Sequence, residues 1–295
     1  MPWHPYDSPY RVPFDGTFQI GDAPTDPPKG GPSEAECEAR LRETVARMAS
    51  LQRKFYADDR YALLLVFQAM DAAGKDGTIR AVLSGVDPSG CQVTSFKRPT
   101  YEELDHDFLW RTAKALPERG RIGVHNRSYY EEVLVVRVHP EILQAQRLPG
   151  LTSDGKVPKK LWKHRYSSIR AHEKHLARNG TVILKFFLNV SKSEQRRRLL
   201  DRIHDPNRHW KFEAGDLAER ALWDDYQAAY QDALAATSRP WAPWYTIPAD
   251  NKAFLRLTVA EHVVAALDGL DLRYPPPTDA ERAELARQRA ILEAE

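Results

Sequence analysis

The chain has 295 residues, 42% of them apolar, which is enough to bury the core of one large α/β domain or of two smaller ones. Its 43 Lys and Arg residues nearly balance 41 Asp and Glu residues, and the net charge of +2 argues against a protein that coats nucleic acid or an anionic membrane. Two cysteines cannot build a disulfide framework, and no apolar run approaches the roughly 18 residues of a membrane span. We expect a soluble cytoplasmic protein with neither a nucleic acid nor a membrane as partner and, because no linker is evident, a single large domain.

The two ends of the chain differ in pattern from the middle. Residues 1–32 are rich in proline and glycine and show no sustained periodicity, which predicts an irregular N-terminal arm. From Ser33 to about Tyr56, apolar residues recur at spacings of three and four behind an acidic first turn, which predicts an amphipathic helix. Residues 276–295 end in a run of alternating charge that predicts a C-terminal helix.

Five short apolar runs alternate with helical patterns through the middle of the chain. Strands of this kind, separated by helices, are typical of a parallel sheet that is buried under helices on both faces. Ligands bind such sheets beyond the carboxyl ends of the strands, so we expect the functional residues in the loops that follow them. The runs are A-L-L-L-V-F at 62–67, C-Q-V-T-S-F at 91–96, R-I-G-V-H at 121–125, T-V-I-L-K-F-F-L at 181–188 and W-Y-T-I-P at 244–248.

The loop after the first strand, Q-A-M-D-A-A-G-K-D-G-T at 68–78, is similar to the phosphate-binding pattern G-x-x-x-x-G-K-[ST] but departs from it twice. Ala69 stands where the first glycine is expected, and Asp76 stands where a hydroxyl residue usually binds Mg²⁺. Small residues between a strand and a helix can aim backbone N–H groups at a phosphate, and a lysine adds a compact positive charge. The residues that we expect to contact phosphate are Ala72, Ala73, Gly74, Lys75, Asp76, Gly77 and Thr78.

Because the usual hydroxyl is missing, a metal ion would need another ligand, for which Asp71 inside the loop and Thr78 are candidates. The alternative is that A-A-G-K-D-G is only a tight turn, since turns between strands and helices often carry glycine. The position of this segment, directly after an apolar strand and ahead of a helical pattern, favours phosphate binding.

Asn126 and Arg127 follow the third strand in the segment H-N-R-S-Y-Y-E-E. An arginine suits a bidentate contact with phosphate, and Asn126 could bind a metal-bound water or a phosphate oxygen. Helix capping is an equal alternative, in which Asn126 and Ser128 cap a helix and Glu131 is the capping-box partner. The sequence by itself leaves both interpretations open.

Basic residues also follow the second and fourth strands. Lys97 and Arg98 could bind phosphate or form an ordinary solvated pair. The segment at about 191–215 combines a helical pattern with a break at Asp205-Pro206, as a mobile lid over phosphates requires, although a charged surface helix explains it too. The basic residues of this predicted lid are Arg198, Arg202, Arg208 and Lys211.

Taken in order along the chain, these motifs resemble the polyphosphate kinase 2 family, and most of all its class III members. The resemblance extends from about Tyr10 to about Tyr274. Its motifs are M-D-A-A-G-K-D-G-T-I-R at 70–80, G-C-Q-V-T-S-F-K at 90–97, L-D-H-D-F-L-W-R at 104–111, N-R-S-Y-Y-E-E-V-L-V-V-R-V-H at 126–139, L-K-F-F-L at 184–188, D-P-N-R-H-W-K-F at 205–212, W-D-D-Y at 223–226 and A-P-W-Y-T-I-P-A-D-N-K at 242–252.

The resemblance implies a P-loop kinase-like α/β fold, a three-layer sandwich in which a parallel five-stranded sheet has helices on both faces and a helical lid. The domain would span residues 33–275, with the lid at about 191–215. The implied reaction is transfer of a phosphoryl group from inorganic polyphosphate to AMP, ADP or other nucleoside mono- and diphosphates, assisted by Mg²⁺ or alternatively Mn²⁺. Family members tend to form dimers and tetramers, which implies a homo-oligomer.

By the same resemblance, Asp71 would hold the metal, and Asp71, Lys75, Asn126 and Arg127 would form the catalytic centre. Nucleotide binding would involve Asn126, Arg127 and Glu131, while the basic lid residues would contact the polyanion or the transferred group. The chain departs from the family pattern at Ala69, where glycine is usual, and at His125, where an apolar residue is usual; we expect His125 to be a buried, satisfied imidazole.

Two other functions fit the same motifs. An ATP-dependent nucleoside monophosphate kinase would share the fold, the loop and the lid, and would differ mainly in the length of basic groove that its donor needs. A non-catalytic protein that binds polyphosphate or nucleotide would keep the loop without turnover.

Overall fold

The computed structural model describes residues 3–151, 157–158, 160–211 and 215–295. Its centre is a five-stranded, all-parallel sheet with the strand order β2-β3-β1-β4-β5. The strands are β1 Ala62–Ala69, β2 Cys91–Ser95, β3 Ile122–Asn126, β4 Thr181–Asn189 and β5 Trp244–Pro248. All five strands predicted from the apolar runs are therefore confirmed.

The register of the strands brings their carboxyl ends to one edge of the sheet. Phe67 near the end of β1 pairs with Asn126 at the end of β3 on one side and with Phe186 of β4 on the other. Asn189 at the end of β4 pairs in turn with Pro248 at the end of β5. The loops that follow all of these strands consequently meet at the same edge.

The expectation that these strands lie in the buried middle of the sheet is wrong for β2. This strand lies at the edge of the sheet, and Val93 in its middle is 50% exposed. The physical reason is its position beyond β3 together with polar residues at Gln92, Thr94 and Ser95, which tolerate solvent. In β1, β4 and β5, by contrast, almost every residue is buried, as expected of the middle of a covered sheet.

The helices form a layer on each face of the sheet. One layer contains α1, α2 and α11, and the other contains α5, α7 and α10. Two layers are expected because the chain adds parallel strands on both sides of β1, and right-handed crossovers in opposite directions place their helices on opposite faces. Short 3-10 helices cover Ile20–Asp22, Pro88–Gly90, Tyr129–Val133 and Pro206–Lys211. The α-helices are α1 Glu34–Asp58, α2 Lys75–Val82, α3 Tyr101–Leu104, α4 Trp110–Ala113, α5 Val135–Val138, α6 Pro140–Ala145, α7 Leu161–Arg178, α8 Lys192–His204, α9 Gly215–Ala221, α10 Trp223–Thr237, α11 Lys252–Asp268 and α12 Asp279–Leu292.

Helix α1 begins as its sequence predicts. The Ser33 side chain accepts a hydrogen bond from the Glu36 amide, and the Glu36 carboxylate accepts one from the Ser33 amide, which completes a capping box. The helix buries Val45, Met48 and Phe55 and packs along α11. The amphipathic helix predicted from Ser33 to about Tyr56 is thus confirmed, and it ends two residues later than expected.

The N-terminal arm is irregular in its backbone but tightly attached to the outer edge of the sheet. The Val12 amide donates to the Trp244 carbonyl at 2.9 Å, and the Thr246 amide donates to the Tyr10 carbonyl at 2.8 Å, so the arm pairs with β5. Its apolar side chains Trp3, Val12 and Phe18 are buried.

At the other end of the chain, every residue of α12 is exposed. Within the described ranges, no helix combines the length and the apolar character needed to cross a membrane.

Candidate functional site

The loop after β1 is shaped by unusual backbone angles. Ala72 and Gly74 have positive φ angles of 61° and 106°, and they alternate with residues of ordinary φ. Such alternation turns successive N–H groups toward one point. Among the described residues, no acceptor bonds the amides of Lys75, Asp76 and Gly77 in the first turn of α2, so these donors remain available for an anion.

The backbone conformation at Ala69 explains why the loop tolerates alanine in place of its first glycine. This residue still belongs to β1, where it pairs with Leu188 of β4, and its φ is not positive. An alanine is at no disadvantage in an extended strand, whereas glycine is needed at Gly74, where φ is 106°. The departure at Ala69 therefore does not disturb the geometry of the loop.

Side chains of helix α8 bind the backbone carbonyls of the loop. The buried Arg198 guanidinium donates to the carbonyls of Ala72 and Ala73 at 3.1 and 2.7 Å, and Gln195 Nε2 donates to the Asp71 carbonyl at 3.0 Å. With its carbonyls bound on one side, the loop is free to present its amides on the other. The guanidinium of Arg198, which we predicted to contact a polyanion, is thus directed at the loop backbone in this structure.

The Lys75 side chain turns back toward the loop that precedes it in sequence. Its Nζ donates to the Ala69 carbonyl at 3.1 Å. Burial lowers the pKa of Lys75, while the nearby carboxylate of Asp71 opposes this shift. The ammonium is therefore poorly solvated, which favours the binding of a phosphate, while the carboxylate of Asp71 helps to keep it charged.

Arg127 and Glu131 reach the same place from the end of β3. Arg127 Nη2 lies 3.7 Å from Asp71 Oδ1, and the arginine side chain is 45% exposed. Burial lowers the pKa of Arg127, but Glu131 and Asp71 outweigh it and leave the pKa raised. Burial also raises the pKa of Glu131, with Arg127 and Lys75 in opposition. The structure thus brings together the predicted residues Asp71, Lys75, Arg127 and Glu131.

A hydrogen-bond network in the core lies close to Arg127 in the chain. Arg127 has a φ of 63°, in the left-handed region that residues other than glycine seldom adopt. Tyr129 and Tyr130, two and three residues further on, both donate hydroxyl hydrogen bonds to Glu173, which also pairs with Lys185 Nζ at 2.9 Å. All four of these side chains are fully buried, and sequence reasoning did not find them because no local pattern marks a pairing between distant helices and strands.

The capping interpretation of the segment after β3 holds for Ser128 but not for Asn126, whose contact with phosphate or a metal-bound water stays a prediction. The Ser128 hydroxyl accepts from the Tyr130 amide and so caps the 3-10 helix Tyr129–Val133. Asn126 caps nothing; its Nδ2 donates to Asp76 Oδ1 at 2.6 Å and connects β3 to the first turn of α2. Asp76 thus faces β3 rather than the lysine beside it in sequence.

Thr78 and His125 lie away from the open part of the site. The Thr78 side chain is buried, and its hydroxyl donates to the Gly74 carbonyl inside α2. His125 is completely buried, its Nε2 lies 3.1 Å from the Ala115 carbonyl, and burial lowers its pKa to about 4. The imidazole is buried as expected, but the expectation that it is satisfied is wrong, because its buried Nδ1 has no hydrogen-bond partner among the described residues.

The other predicted basic residues are distributed around the site. Lys97 and Arg98 are exposed just beyond β2. In the predicted lid, Arg202 pairs with Asp216 at 3.2 Å and Arg208 pairs with Asp205 at 2.9 Å. The side chain of Lys211 and residues 212–214, which the predicted lid includes, lie outside the described residues.

The carboxylates of the site suit a metal that brings its own waters. Within the described ranges, no three His, Cys, Asp or Glu side chains come together as a metal centre. Mg²⁺ ordinarily binds one or two carboxylates together with substrate phosphates and water, and a single carboxylate such as Asp71 beside a phosphate loop fits that requirement. Thr78, the other candidate ligand, uses its hydroxyl inside the helix.

Comparisons with known proteins agree with this geometry. The family model for Polyphosphate kinase 2 matches residues 32–275. The ADP-polyphosphate phosphotransferase of Rhodopseudomonas palustris is 52% identical over 283 residues, covering 96% of this chain and 97% of its own. The AMP/ADP-polyphosphate phosphotransferase of Meiothermus ruber is 43% identical over 286 residues, covering 96% of this chain and 99% of its own.

A solved structure shares the fold across almost the whole chain. The crystal structure of polyphosphate kinase 2 from Arthrobacter aurescens has a TM-score of 0.84 at 40% identity and covers 94% of this chain and 95% of that one. The likeness confirms the P-loop kinase-like fold, and the match of the family model confirms the resemblance in the motifs. The chain therefore belongs to the polyphosphate kinase 2 family.

Proposed function

We propose that this protein is a phosphotransferase that moves a phosphoryl group from inorganic polyphosphate to AMP and ADP. The observation that carries the proposal is the convergence of Lys75, Asp71 and Arg127 beside the first turn of α2, whose amides have no acceptor among the described residues. The two relatives named for polyphosphate and for ADP or AMP/ADP support the choice of substrates.

The chemistry that the reaction needs agrees with the residues at the site. Phosphoryl transfer is promoted mainly by positioning the reactants and by neutralising charge on the transferred group. Lys75 and the loop amides would neutralise that charge from one side, and Arg127 from the other. The acceptor is a phosphate oxygen that is already ionised, so no general base is required, and the buried His125 is not needed as one.

Asp71 would hold Mg²⁺, or alternatively Mn²⁺, together with phosphate oxygens of the substrates. A divalent metal bound there would supply further neutralisation of phosphate charge. The proposal assigns Asn126, Arg127 and Glu131 to the nucleotide and Lys97 and Arg98 to phosphate. Arg202, Arg208 and Lys211 would contact the polyanion as the lid closes. Arg198 would position the phosphate loop through its hydrogen bonds to the loop carbonyls.

The proposal extends to the whole molecule. Residues 33–275 would form the catalytic domain, flanked by the arm and by the C-terminal helix. A cytoplasmic location is supported by two cysteines, Cys37 and Cys91, that are both unpaired. We also propose that the protein works as a homo-oligomer, a dimer or a tetramer.

An assay without ATP tests the function. The protein is incubated with Mg²⁺ and polyphosphate, with AMP and ADP in separate reactions, and ADP and ATP formation are measured. We expect both products, and we expect Lys75→Ala and Asp71→Asn to lower kcat by about 100-fold or more. Lys54→Ala, at the end of α1 that is remote from the loop, is the control and should match wild type.

Three results would contradict the proposal in different ways. Product formation with ATP but not with polyphosphate would make the protein an ATP-dependent nucleoside monophosphate kinase. Binding of polyphosphate without turnover would make it a non-catalytic binding protein. Near wild-type turnover by folded Lys75→Ala or Asp71→Asn would overturn the roles of these residues.

A further inference from the structure

Two basic residues that sequence reasoning did not select lie beside the phosphate loop. Lys252 begins α11, directly after the loop that follows β5, and Arg256 comes one turn later. Neither side chain makes a hydrogen bond or an ion pair with any described residue. Lys252 is exposed and Arg256 is half-buried, so both cations remain available to an external partner.

The contacts of α8 and α2 show how close these residues are to the loop. Arg198, which holds the carbonyls of Ala72 and Ala73, also donates to the carbonyls of Ala249 and Asp250 just ahead of α11. A Cβ atom placed on Gly77 in the first turn of α2 would lie 3.6 Å from Arg256 Nη2. The Arg256 guanidinium is therefore beside the unoccupied amides of α2.

The surroundings of Lys252 carry an excess of positive charge. Although Lys252 is exposed, partial desolvation by its neighbours lowers its pKa, and Arg198, Arg197 and Arg208 lower it further, against the opposing charge of Glu194. The carboxylates nearby are already paired, Glu194 with Arg197 and Arg198, Asp201 with Arg197, and Asp205 with Arg208. Like charges held together in this way are stabilised by an anion that binds between them.

The order of the strands separates this cluster from the residues proposed to bind the acceptor. Asn126, Arg127 and Glu131 approach the loop from β3, on one side of β1, whereas α8 and α11 follow β4 and β5 on the other side. In-line transfer places the attacking and the leaving oxygens on opposite sides of the transferred group. If the nucleotide lies on the β3 side, the remainder of the donor must leave toward α11.

We propose that Lys252 and Arg256 bind the part of the polyphosphate chain that extends beyond the transferred phosphoryl group. This inference rests on the proposed function and gives the donor groove a direction, from the first turn of α2 across the start of α11. A long polyanion would gain contacts along this path that a short one cannot reach. Lys252 and Arg256 thus act in recognition of the donor and not of the nucleotide.

The test compares two double variants that remove the same charge. Lys252→Gln/Arg256→Gln removes both cations beside the loop, and Arg53→Gln/Lys54→Gln removes two from the end of α1, which lies at the opposite edge of the sheet. We expect the first variant to raise KM for long-chain polyphosphate by about tenfold or more, with KM for ADP within about twofold of wild type. Triphosphate as donor should show a smaller rise, and the control variant should match wild type.

Salt provides a second measurement on the same proteins. Affinity for a polyanion falls with salt in proportion to the number of cations that engage it, so the salt dependence of polyphosphate KM should be weaker in Lys252→Gln/Arg256→Gln than in wild type. Lys252→Arg, which keeps the charge, should retain wild-type KM. Thermal unfolding shows whether each variant is folded.

The possible results separate this inference from the function on which it rests. If wild type forms no product from polyphosphate, the proposed function itself fails. If wild type is active and the folded Lys252→Gln/Arg256→Gln protein keeps wild-type KM for long polyphosphate, only the donor groove is wrong. An equal rise in KM for ADP and for polyphosphate would also overturn it, because the two residues would then not distinguish donor from acceptor.

Discussion

The guanidinium of Arg198 joins three parts of the molecule. It donates to the carbonyls of Ala72 and Ala73 in the phosphate loop, to those of Ala249 and Asp250 before α11, and to the carboxylate of Glu194 on its own helix. A planar fork of five N–H donors can satisfy all of these acceptors, and an ammonium cannot. Arg198 therefore acts as a positioning residue for the loop.

Replacement of Arg198 by lysine tests this role at constant charge. We expect Arg198→Lys to lower the free energy of unfolding by about 2–4 kcal/mol, because buried carbonyls lose charged donors, and to raise KM for both polyphosphate and ADP. Chemical denaturation and initial rates measure the two effects. Arg197→Lys is the matched control, since Arg197 lies next to it on α8 but is exposed and pairs with Glu194 and Asp201. Indistinguishable behaviour of the two variants would contradict the assignment.

Individual site residues were predictable from sequence only where a strand end marks them. Asp71, Lys75 and Arg127 follow apolar runs, and in a parallel sheet such positions converge. Arg198 is one of three consecutive arginines, and only the packing of α8 against the loop turns it inward. Lys252 follows a strand as well and ends the motif at 242–252, so the same rule could have identified it, although no role was assigned to it from the sequence.

At the scale of elements, the N-terminal arm serves as a cover for the outer edge of the sheet. Besides its pairing with β5, the carbonyls of Ala23 and Pro24 accept from Asn189 Nδ2 at the end of β4, and the Asp250 amide donates to the Thr25 carbonyl. An uncovered β5 would present unpaired backbone groups to other chains. The arm thus protects the sheet and supports the strand ends beside the phosphate loop.

Deletion of each terminus compares the arm with α12. We expect removal of residues 1–26 to lower Tm by at least about 5 °C and to promote aggregation, since it exposes β5 and the buried Trp3, Val12 and Phe18 contacts. Removal of residues 276–295 should leave the Tm of the isolated protomer unchanged, because every residue of α12 is exposed. Thermal unfolding and light scattering measure both. An arm deletion as stable as the α12 deletion would show that the arm contributes nothing.

Helices and strands were predictable from sequence where burial makes apolar residues recur at a regular spacing or in a continuous run. The apolar runs located all five strands and the spacing of Val45, Met48 and Phe55 located α1, because these patterns are the direct consequence of a covered sheet. The docking of the arm was not predictable, since its hydrogen bonds use backbone groups that carry no sequence signal. The exposure of β2 depends on strand order, although Gln92, Thr94 and Ser95 hint at an edge.

At the scale of the whole molecule, the parallel sheet divides the site into two halves. Residues after β3 face the loop from one side, and α8 with the start of α11 faces it from the other. The central strand β1 carries the loop that both halves share. This division provides separate places for a donor and an acceptor on either side of one transferred group, as in-line transfer requires.

Buried histidines make the stability of the whole molecule sensitive to acid. Burial lowers the pKa of both His125 and His262 to about 4. In the unfolded chain a histidine titrates near its ordinary pKa of about 6.5, so between these values the unfolded chain binds protons that the native state does not. Stability that is fully present above pH ~6.5 is therefore lost as the pH falls toward 4.

The variant His125→Leu separates this contribution from that of the carboxylates. Wild type should lose up to about 3 kcal/mol through His125 between pH 6.5 and 4, and the variant should lose correspondingly less, because leucine has no proton to bind. Urea unfolding at several pH values over this range measures the difference in slope. His164→Leu, which removes an exposed histidine on α7, should keep the wild-type dependence. If His125→Leu instead parallels wild type, the proton uptake that weakens the fold in acid must occur at other groups, with His262 the next to replace.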